Sequence, residues 1–417
     1  MTPAELNEIL EREHPGAARM LSPLGRRLAL PLGIPQQAAQ AETCERKATI
    51  GQITRGDGAP LTLPSLARHF SGLDTRSTFL YAPQAGMGPL RAAWRRHLGA
   101  QGEGGVPMSV PVVTTGITHA ISIGAELFSD PGTPVIVATP YWDNYDNIFT
   151  LHTGAPLLTF PFYDERGRFN VRGLRDTLAT VAGRAVAILN FPANPTGYTP
   201  LTEEVAEIVE VLTSREDPLA VFCDDAYQGL FFEEDVYHRS LFSSLARAAD
   251  PSRTIVCKMD GATKELVFFG GRVGFLTFSA QGRAGEALAE KAAALIRATI
   301  SSGSAPAQVA VLEALRSATL EAEQESVVEI LRERYRALRD AFAAHELVPA
   351  PFNSGCFATL LLPAHLDADE VRHRLIREQS TGVIAVPSAN GIRVAFCSIE
   401  VEDIPDLVER IARVVKA

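Results

Sequence analysis

The sequence is poor in lysine and contains no long hydrophobic run. Its 417 residues include 39 basic residues, of which only five are lysine: Lys47, Lys258, Lys264, Lys291 and Lys416. No apolar stretch reaches the length of a membrane-spanning helix, and the N-terminus lacks the charged-then-apolar pattern of a secretion signal. The net charge is −10 and no arginine run forms a basic arm, which argues against a nucleic-acid-binding surface.

The cysteines are few and odd in number, which argues against a disulfide framework. They lie far apart and mostly within apolar, strand-like runs, and no pair has the spacing of a zinc site. We therefore predict reduced core thiols, no metal site and a cytoplasmic location. The five cysteines are Cys44, Cys223, Cys257, Cys356 and Cys397.

The pattern of the central part of the chain predicts an α/β fold. Apolar residues make up 46% of the sequence and charged residues 21%, as in ordinary globular proteins. Short runs of apolar residues alternate with helical patterns, which is typical of a mostly parallel sheet covered by helices on both faces. The predicted strands are Val110–Thr115, Pro134–Thr139, Ala185–Asn190, Leu219–Asp224, Thr254–Met259 and Val273–Phe278.

The two ends of the chain differ from this central part. Residues 1–60 are mixed in pattern and predict an N-terminal arm and part of a small domain. Residues 61–300 predict the large domain, with its sheet of about seven strands. Residues 301–417 predict a smaller α+β domain, because helices rich in Ala, Leu, Glu and Arg are followed there by alternating strands and helices.

Lys264 is distinguished by its surroundings. Small residues precede it and apolar residues follow it, within the segment Asp260–Arg272. An amine loses its charge readily when it is desolvated, and it can form a Schiff base, which a guanidinium group cannot do. The structural alternative is a lysine at a strand end whose amine reaches solvent.

Polar residues follow several predicted strands, at the sheet edge where ligands bind in α/β folds. Gly116 precedes a helix start at Ile117 and Thr118, whose backbone amides and hydroxyl suit a phosphate, although such turns are common. Asn194 lies between two prolines in a turn that can aim its amide at a ligand. The alternative for Asn194 is that it only caps its own backbone.

Polar residues follow two further predicted strands. Asp224 ends an apolar strand, and a carboxylate there is costly to bury without a cation. It could keep a ring nitrogen protonated, with Tyr227 donating to an oxygen of the same ring, whereas Asp225 is expected to be a surface acid. Arg272 has a fork suited to phosphate. With Lys264 as a covalent anchor, these are the groups that pyridoxal phosphate needs.

The order of these motifs resembles the fold-type I, class I and II pyridoxal-phosphate aminotransferases, of which aspartate aminotransferase is the best-known member. In that family a tyrosine of a Tyr-x4-Gly segment reaches the phosphate of the neighbouring subunit, and Tyr81 is the matching residue. The resemblance further implies that Trp142 stacks on the cofactor and contacts the substrate. It implies that Asn194 also binds both the cofactor and the substrate. It implies that Arg393 clamps the substrate α-carboxylate, that Gly56 lies close to the substrate, and that the protein is a homodimer with shared sites.

Two positions qualify this resemblance. The family often has a hydroxyl three residues before the lysine, where this chain has Gly261, and Thr263 or the backbone could take its place. The segment around Arg297 resembles the one whose arginine, donated across the dimer, reads the distal carboxylate of aspartate or glutamate. The alternative for Arg297 is an ordinary residue on a helix face.

The resemblance implies a ping-pong transfer of an amino group from an L-amino acid to a 2-oxo acid. Lys264 would hold the cofactor as a Schiff base and then act as general base, with Asp224 and Tyr227 supporting the ring. A β-lyase or an acyl-condensing synthase on the same fold would share these residues. A ligand-sensing regulator built on a transaminase domain is disfavoured, because only about 60 non-basic residues precede the Tyr81 region.

Overall fold

The structure is a computed structural model that describes residues 2–13, 15–21, 23–27, 33–71 and 78–417. The Pro/Gly/Gln-rich stretch at residues 31–37 predicts a loop. Residues 31 and 32 lie outside the described residues, and the prediction is wrong from Ile34 onward, where a helix begins. Across the described ranges, no helix is both long enough and apolar enough to cross a membrane.

Helices make up most of the regular structure. The first six are α1 Pro3–Glu13, α2 Pro15–Met20, α3 Pro23–Arg27, α4 Ile34–Gln40, α5 Pro64–Ala67 and α6 Gly88–Leu98. The next five are α7 Ile117–Phe128, α8 Val171–Ala179, α9 Val205–Thr213, α10 Leu241–Ala248 and α11 Ala262–Glu265. The last five are α12 Gly282–Thr299, α13 Ala305–Leu315, α14 Leu320–Ala344, α15 Ala368–Gln379 and α16 Ile404–Val415.

The strands form three sheets. The strands of the large sheet are β2 Val112–Thr114, β3 Val135–Thr139, β4 Leu157–Pro161, β5 Ala185–Asn190, β6 Leu219–Asp224, β7 Thr254–Gly261 and β8 Gly274–Phe278. The others are β1 Arg46–Lys47, β9 Ala358–Leu361, β10 Thr381–Gly382, β11 Ile384–Val386 and β12 Gly391–Val394.

The large sheet has seven strands in the order β2-β8-β7-β6-β5-β3-β4. Strand β8 is antiparallel to both of its neighbours, and the other pairs are parallel. The predicted mostly parallel sheet is therefore confirmed. Because the parallel strands run the same way, the residues that follow β5, β6 and β3 gather at one edge of the sheet.

Both faces of the large sheet are covered, as the apolar strands predicted. Along β5, Val186 and Ile188 contribute to one buried hydrophobic cluster, while Ala187 and Leu189 contribute to another. Successive side chains of a strand point to opposite faces, so the two clusters lie on the two sides of the sheet. Strand β6 is buried along its whole length for the same reason.

A smaller antiparallel sheet, β11-β12-β9, follows in the C-terminal part of the chain. The N-terminal part joins this region, since β1 pairs in parallel with β10 through Arg46 and Thr381. The arrangement agrees with an N-terminal segment that belongs partly to the small domain. The domain boundaries themselves stay a prediction.

The predicted elements match the observed ones closely where the strands are buried. Strands β5 and β6 have the predicted bounds, and β7 extends two residues further, to Gly261. Strand β4 was not predicted. It lies at the edge of the sheet, and its short run of residues 157–161 is interrupted by Thr159 and bounded by Pro156 and Pro161, which weakens the strand pattern.

Candidate active site

A pocket lies at the carboxyl ends of the parallel strands. Its position is the one where α/β sheets bind ligands. Seven of the residues singled out from the sequence line it together. The lining comprises Ile117, Thr118, Ile121, Trp142, Asn190, Asn194, Asp224, Ala226, Tyr227 and Lys264.

Asp224 ends β6 and is only 3% exposed. Its Oδ2 accepts a hydrogen bond of 2.5 Å from the hydroxyl of Tyr145, and its Oδ1 accepts one of 3.2 Å from the backbone N–H of Ala226. Burial raises the pKa of Asp224 to about 6, against the lowering effects of the Tyr145 hydroxyl and of Lys264. The carboxylate is thus prepared to pair with a cationic group in the pocket.

Tyr145 was missed from the sequence. It is fully buried, and burial, with Asp224 close by, raises the pKa of its hydroxyl, so it remains a donor. The sequence feature that could have identified Tyr145 is its position three residues after Trp142, because this spacing places both rings on one face of a helical turn. The two rings pack edge to face with centroids 5.5 Å apart.

Asn190 links two other pocket residues. Its Nδ2 donates to the backbone carbonyl of Asp224 at 2.9 Å, and its Oδ1 accepts from the backbone N–H of Asn194 at 2.8 Å. It ends β5 beside β6, where the two strands pair Asn190 with Asp224 in register. The half-buried amide of Asn190 therefore sets the spacing between the carboxylate of Asp224 and the turn at Asn194.

Lys264 lies in the short helix α11 and points into the pocket, with Nζ 4.8 Å from the centroid of the Tyr227 ring. Burial lowers the pKa of its amine, while nearby Asp224 acts in the opposite direction. Within the described part of the chain, Nζ has no hydrogen-bond or salt-bridge partner. A desolvated amine with no competing partner is suited to nucleophilic chemistry.

The start of α7 has the features that suit an anion. Gly116 caps the helix with φ 81° and no side-chain cap, and the backbone N–H groups of Ile117 and Thr118 have no acceptor among the described residues. The guanidinium of Arg272 lies against this turn, since a Cβ on Gly116 would be 2.4 Å from its Nη2. Free amides and a guanidinium at a helix N-terminus bind phosphate groups.

The structure explains why position 261 carries no hydroxyl. A Cβ on Gly261 would be 2.6 Å from the carbonyl oxygen of Val273 and 2.6 Å from Cα of Gly274. Both contacts are to backbone that cannot move aside easily. Thr263, the suggested substitute, is buried, and its hydroxyl has no hydrogen-bond partner among the described residues.

Arg393 on β12 is 2% exposed and lies beside Asn194. Its Nη1 donates to Asn194 Oδ1 at 2.8 Å, its Nη2 donates to the carbonyl of Thr49 at 2.6 Å, and its guanidinium lies 4.1 Å from the Phe357 ring centroid. Its Nε–H is buried without a partner among the described residues. A guanidinium held in this way can receive a carboxylate.

Five of the residues singled out from the sequence do not line the pocket. Arg272 and Arg393 contact residues in or next to its lining, whereas Gly56, Arg297 and Tyr81 do not. Gly56 donates its backbone N–H to Glu400 Oε1 at 2.6 Å and borders a separate surface depression. Arg297 lies near the end of α12, exposed, and donates to the hydroxyl of Ser301 at 2.6 Å. Tyr81 is 91% exposed.

The expectation that Asp225 is a surface acid is wrong. Asp225 is 5% exposed, and its Oδ2 lies 2.5 Å from Nζ of Lys258, a lysine that the sequence did not single out. The alternation of a strand turns Asp225 away from the pocket and into the core behind it. The sequence showed a pair of acids but not the cation that pairs with the second one.

Comparison with known proteins identifies the class to which this fold and pocket belong. The sequence model of the aminotransferase class I and II family matches residues 49–411, so the chain belongs to this family and is an aminotransferase. Among solved structures, an aminotransferase from Anaerococcus prevotii superposes with a TM-score of 0.85 over 95% of this chain and 100% of that one. At 24% identity that likeness supports the fold.

Two named relatives are similar over most of their length. The probable N-succinyldiaminopimelate aminotransferase DapC of Mycobacterium tuberculosis is 28% identical over 316 residues, which cover 73% of this chain and 72% of the relative. The aspartate/prephenate aminotransferase of Thermus thermophilus is 28% identical over 346 residues, covering 80% and 83%.

Membership of this family implies pyridoxal phosphate as cofactor, and the pocket residues fit it. Unpartnered amides at Ile117 and Thr118, with Arg272 beside them, suit its phosphate. The buried carboxylate of Asp224 suits its ring nitrogen, and the amine of Lys264 suits its aldehyde. The phenol of Tyr227, whose pKa is raised by burial, remains a donor for the ring oxygen.

Proposed function

We propose that this protein is a pyridoxal-phosphate-dependent transaminase that moves an amino group from an L-amino acid to a 2-oxo acid by a ping-pong mechanism. The observation that supports this best is the convergence of Lys264, Asp224 and Asn194 on one pocket, with Arg393 bonded to Asn194. The cofactor, when bound, supplies an electron sink that stabilises negative charge on the substrate α-carbon.

Each residue has a role that follows from its surroundings. Asp224, held by Tyr145, keeps a proton on the ring nitrogen by supplying a buried negative charge. Tyr227 donates to the ring oxygen, and Trp142 covers the ring face. The helix start at Thr118 holds the phosphate, with Arg272 beside it.

Lys264 and Arg393 act on the substrate. Arg393 binds the α-carboxylate through its guanidinium, oriented by the bond to Asn194 and by the carbonyl of Thr49. The amine of Lys264, once released from its covalent role, moves the proton from the α-carbon. Burial holds its pKa low, which favours the neutral amine that this step requires.

The substrate class proposed is an amino acid with a second carboxylate. The names of both relatives refer to substrates that carry more than one carboxylate, N-succinyldiaminopimelate in one and aspartate or prephenate in the other. Arg297 is exposed in the single chain and could read a distal carboxylate only in the pocket of a second subunit. We therefore propose a homodimer in which Tyr81 and Arg297 complete the neighbouring site.

A spectroscopic half-reaction tests these proposals. The purified enzyme is loaded with pyridoxal phosphate, and amino acids are added one at a time without an acceptor. We expect aspartate, glutamate or a longer dicarboxylic amino acid to convert the lysine-bound absorption band to that of the amine form, and alanine to do so much more slowly. A β-lyase would instead release ammonia and return to the starting band.

The control is Lys264→Ala, which removes both the covalent anchor and the base. We expect no conversion and a loss of turnover of about 10⁴-fold or more, of which general base catalysis alone accounts for about 10²- to 10⁴-fold. A variant that keeps the lysine-bound band and full turnover would contradict the assignment of Lys264. Equal rates with alanine and the dicarboxylic amino acids would contradict the substrate class alone.

A further inference from the structure

A cluster of charged side chains lies buried behind the pocket. Lys258 on β7 has no exposed side-chain surface, and its Nζ lies 2.5 Å from Asp225 Oδ2, 3.1 Å from Glu103 Oε1 and 3.7 Å from Asp260 Oδ2. The carboxyl side chains are exposed by only 4%, 0% and 2% in the same order. None of the four residues lines the pocket.

This composition is unfavourable for a protein core. One ammonium faces three buried carboxyl groups, and Glu103 Oε2 has no hydrogen-bond partner in the described part of the chain. Burial raises the pKa of Glu103 and of Asp225, and it raises that of Asp260 to about 7, so burial opposes the ionisation of all three carboxyl groups. Apolar side chains of similar volume would pack there with a smaller desolvation penalty, so stability alone explains the cluster poorly.

The cluster is attached to the chain next to Asp224. Asp225 follows it directly, and because neighbouring side chains at a strand end point to opposite sides, Asp224 faces Tyr145 while Asp225 faces Lys258. A second bond, of 2.6 Å from the hydroxyl of Ser240, holds the same oxygen of Asp225. The position of Asp224 at the pocket thus depends on how its neighbour is held.

The cluster is also attached next to Lys264. Asp260 lies four residues before it, at the end of β7, and accepts a hydrogen bond of 3.1 Å from the indole N–H of Trp94 on α6 while facing Lys258. Asp260 and Lys258 are two residues apart on one strand and therefore point to the same face. The chain that enters the helix of Lys264 is held by this contact.

The far side of Lys264 is held by the same helix, α6, and its extension. Glu265 follows Lys264, accepts a bond of 2.6 Å from Gln101 and forms a further hydrogen bond with His97. Trp94, His97 and Gln101 are spaced three and four residues apart, so they present one face. Residues on both sides of Lys264 are therefore fixed by buried polar contacts.

We propose that Lys258 is a positioning residue for the amino-transfer reaction. Its ammonium holds Asp225 and Asp260, and through them it sets the distance and orientation between Asp224 and Lys264. The inference rests on the proposed function, because it matters only if those two side chains act on one bound cofactor. Lys258 itself touches neither the cofactor nor the substrate.

The test compares Lys258→Met with Lys291→Met. Methionine keeps the unbranched chain but removes the charge, and Lys291 is exposed on α12, so it controls for the substitution itself. Four quantities are measured for each protein loaded with pyridoxal phosphate: kcat, KM, the dissociation constant of the cofactor, and the pH at which its lysine-bound absorption band changes. The melting temperature of the cofactor-free protein reports stability separately.

For Lys258→Met we expect kcat to fall about 10- to 100-fold, since a displacement of about 1 Å in a reacting group can cost about 10²-fold. KM should change by less than about threefold, because the substrate carboxylate site is untouched. The cofactor should bind more weakly, and the pH of the band change should shift. Lys291→Met should match the wild type in all of these quantities.

Asp225→Asn provides a second variant. Asparagine has nearly the same shape as aspartate but carries no charge, so the contact between residue 225 and Lys258 is weakened. We expect a smaller loss of kcat in the same direction, and this variant decides the matter if Lys258→Met does not fold. A folded variant that only melts earlier, with wild-type kcat, cofactor affinity and pH profile, overturns the inference. A wild-type protein that does not bind pyridoxal phosphate contradicts the proposed function instead.

Discussion

The hydrogen bond from Tyr145 to Asp224 gives a quantitative prediction for the substitution Tyr145→Phe. Phenylalanine keeps the ring, which packs against Trp142 at 5.5 Å and Phe149 at 6.2 Å between centroids, and removes only the hydroxyl. A hydrogen bond to a buried charged group is worth about 1.5–3 kcal/mol. At about 1.4 kcal/mol per pKa unit, its loss should raise the pKa of Asp224 by about 1–2 units.

The pKa of Asp224 in the wild-type protein determines the pH range in which this shift has an effect. The pKa of Asp224 is about 6 with the Tyr145 hydroxyl in place, and that bond lowers it. Without the bond it should lie between about 7 and 8 in the cofactor-free protein. At pH 7 half or more of Asp224 would then be protonated and neutral, and it could no longer hold a positive charge on a cofactor ring.

The assay is the pH dependence of kcat/KM between about pH 5.5 and 9, which reports groups of the free enzyme. We expect the acid limb of the Tyr145→Phe profile to move upward by about one unit, with weaker cofactor binding at pH 7 that recovers at pH 9. The matched control is Tyr141→Phe, which removes a hydroxyl 3.3 Å from Asp146 on the same segment. An acid limb that moves equally in both variants, or in neither, would refute the reasoning.

Two other substitutions have outcomes that follow from burial. Because folding raises the pKa of Asp224 from 3.8 to about 6, its contribution to stability is present below pH 4 and is lost as pH rises through 6, by about 3 kcal/mol. Asp224→Asn should therefore raise the urea midpoint of the cofactor-free protein at pH 8 but not at pH 4, and an unchanged midpoint at pH 8 would contradict this. Gly261→Ser should destabilise the protein by about 1–3 kcal/mol in urea, because its Cβ meets backbone at 2.6 Å. Gly270→Ser, where no atom lies within 4 Å of the added Cβ, should cost little, and equal costs at the two positions would show the crowding argument to be wrong.

Much of the fold could be predicted because buried strands have a clear local pattern. Strands β5 and β6 are apolar along their length and end at Asn190 and Asp224, and their predicted bounds agree with the structure. The polar residues at those ends could be predicted to meet, since parallel strands place their carboxyl ends at one edge. The edge strand β4 was not predicted, because its short run is interrupted by Thr159 and bounded by prolines.

The partners of the pocket residues could not be predicted, because they come from distant parts of the chain. Nothing in the local sequence indicates that the Thr49 carbonyl reaches Arg393, or that Lys258 pairs with Glu103. Gly56 matched a family position by spacing but lies beside Glu400, away from the pocket. Spacing along the chain does not determine how loops pack against a neighbouring element.

The sequence by itself determined the alternating α/β architecture and the chemical types of the pocket residues, since both depend on local apolar patterns and on residues that follow strands. Tertiary structure alone decided that Asp225 is buried beside Lys258, how Asp224 is held by Tyr145, and where the charge of Lys258 is balanced. Those outcomes depend on burial and on hydrogen bonds between segments tens to hundreds of residues apart, which a linear pattern does not encode.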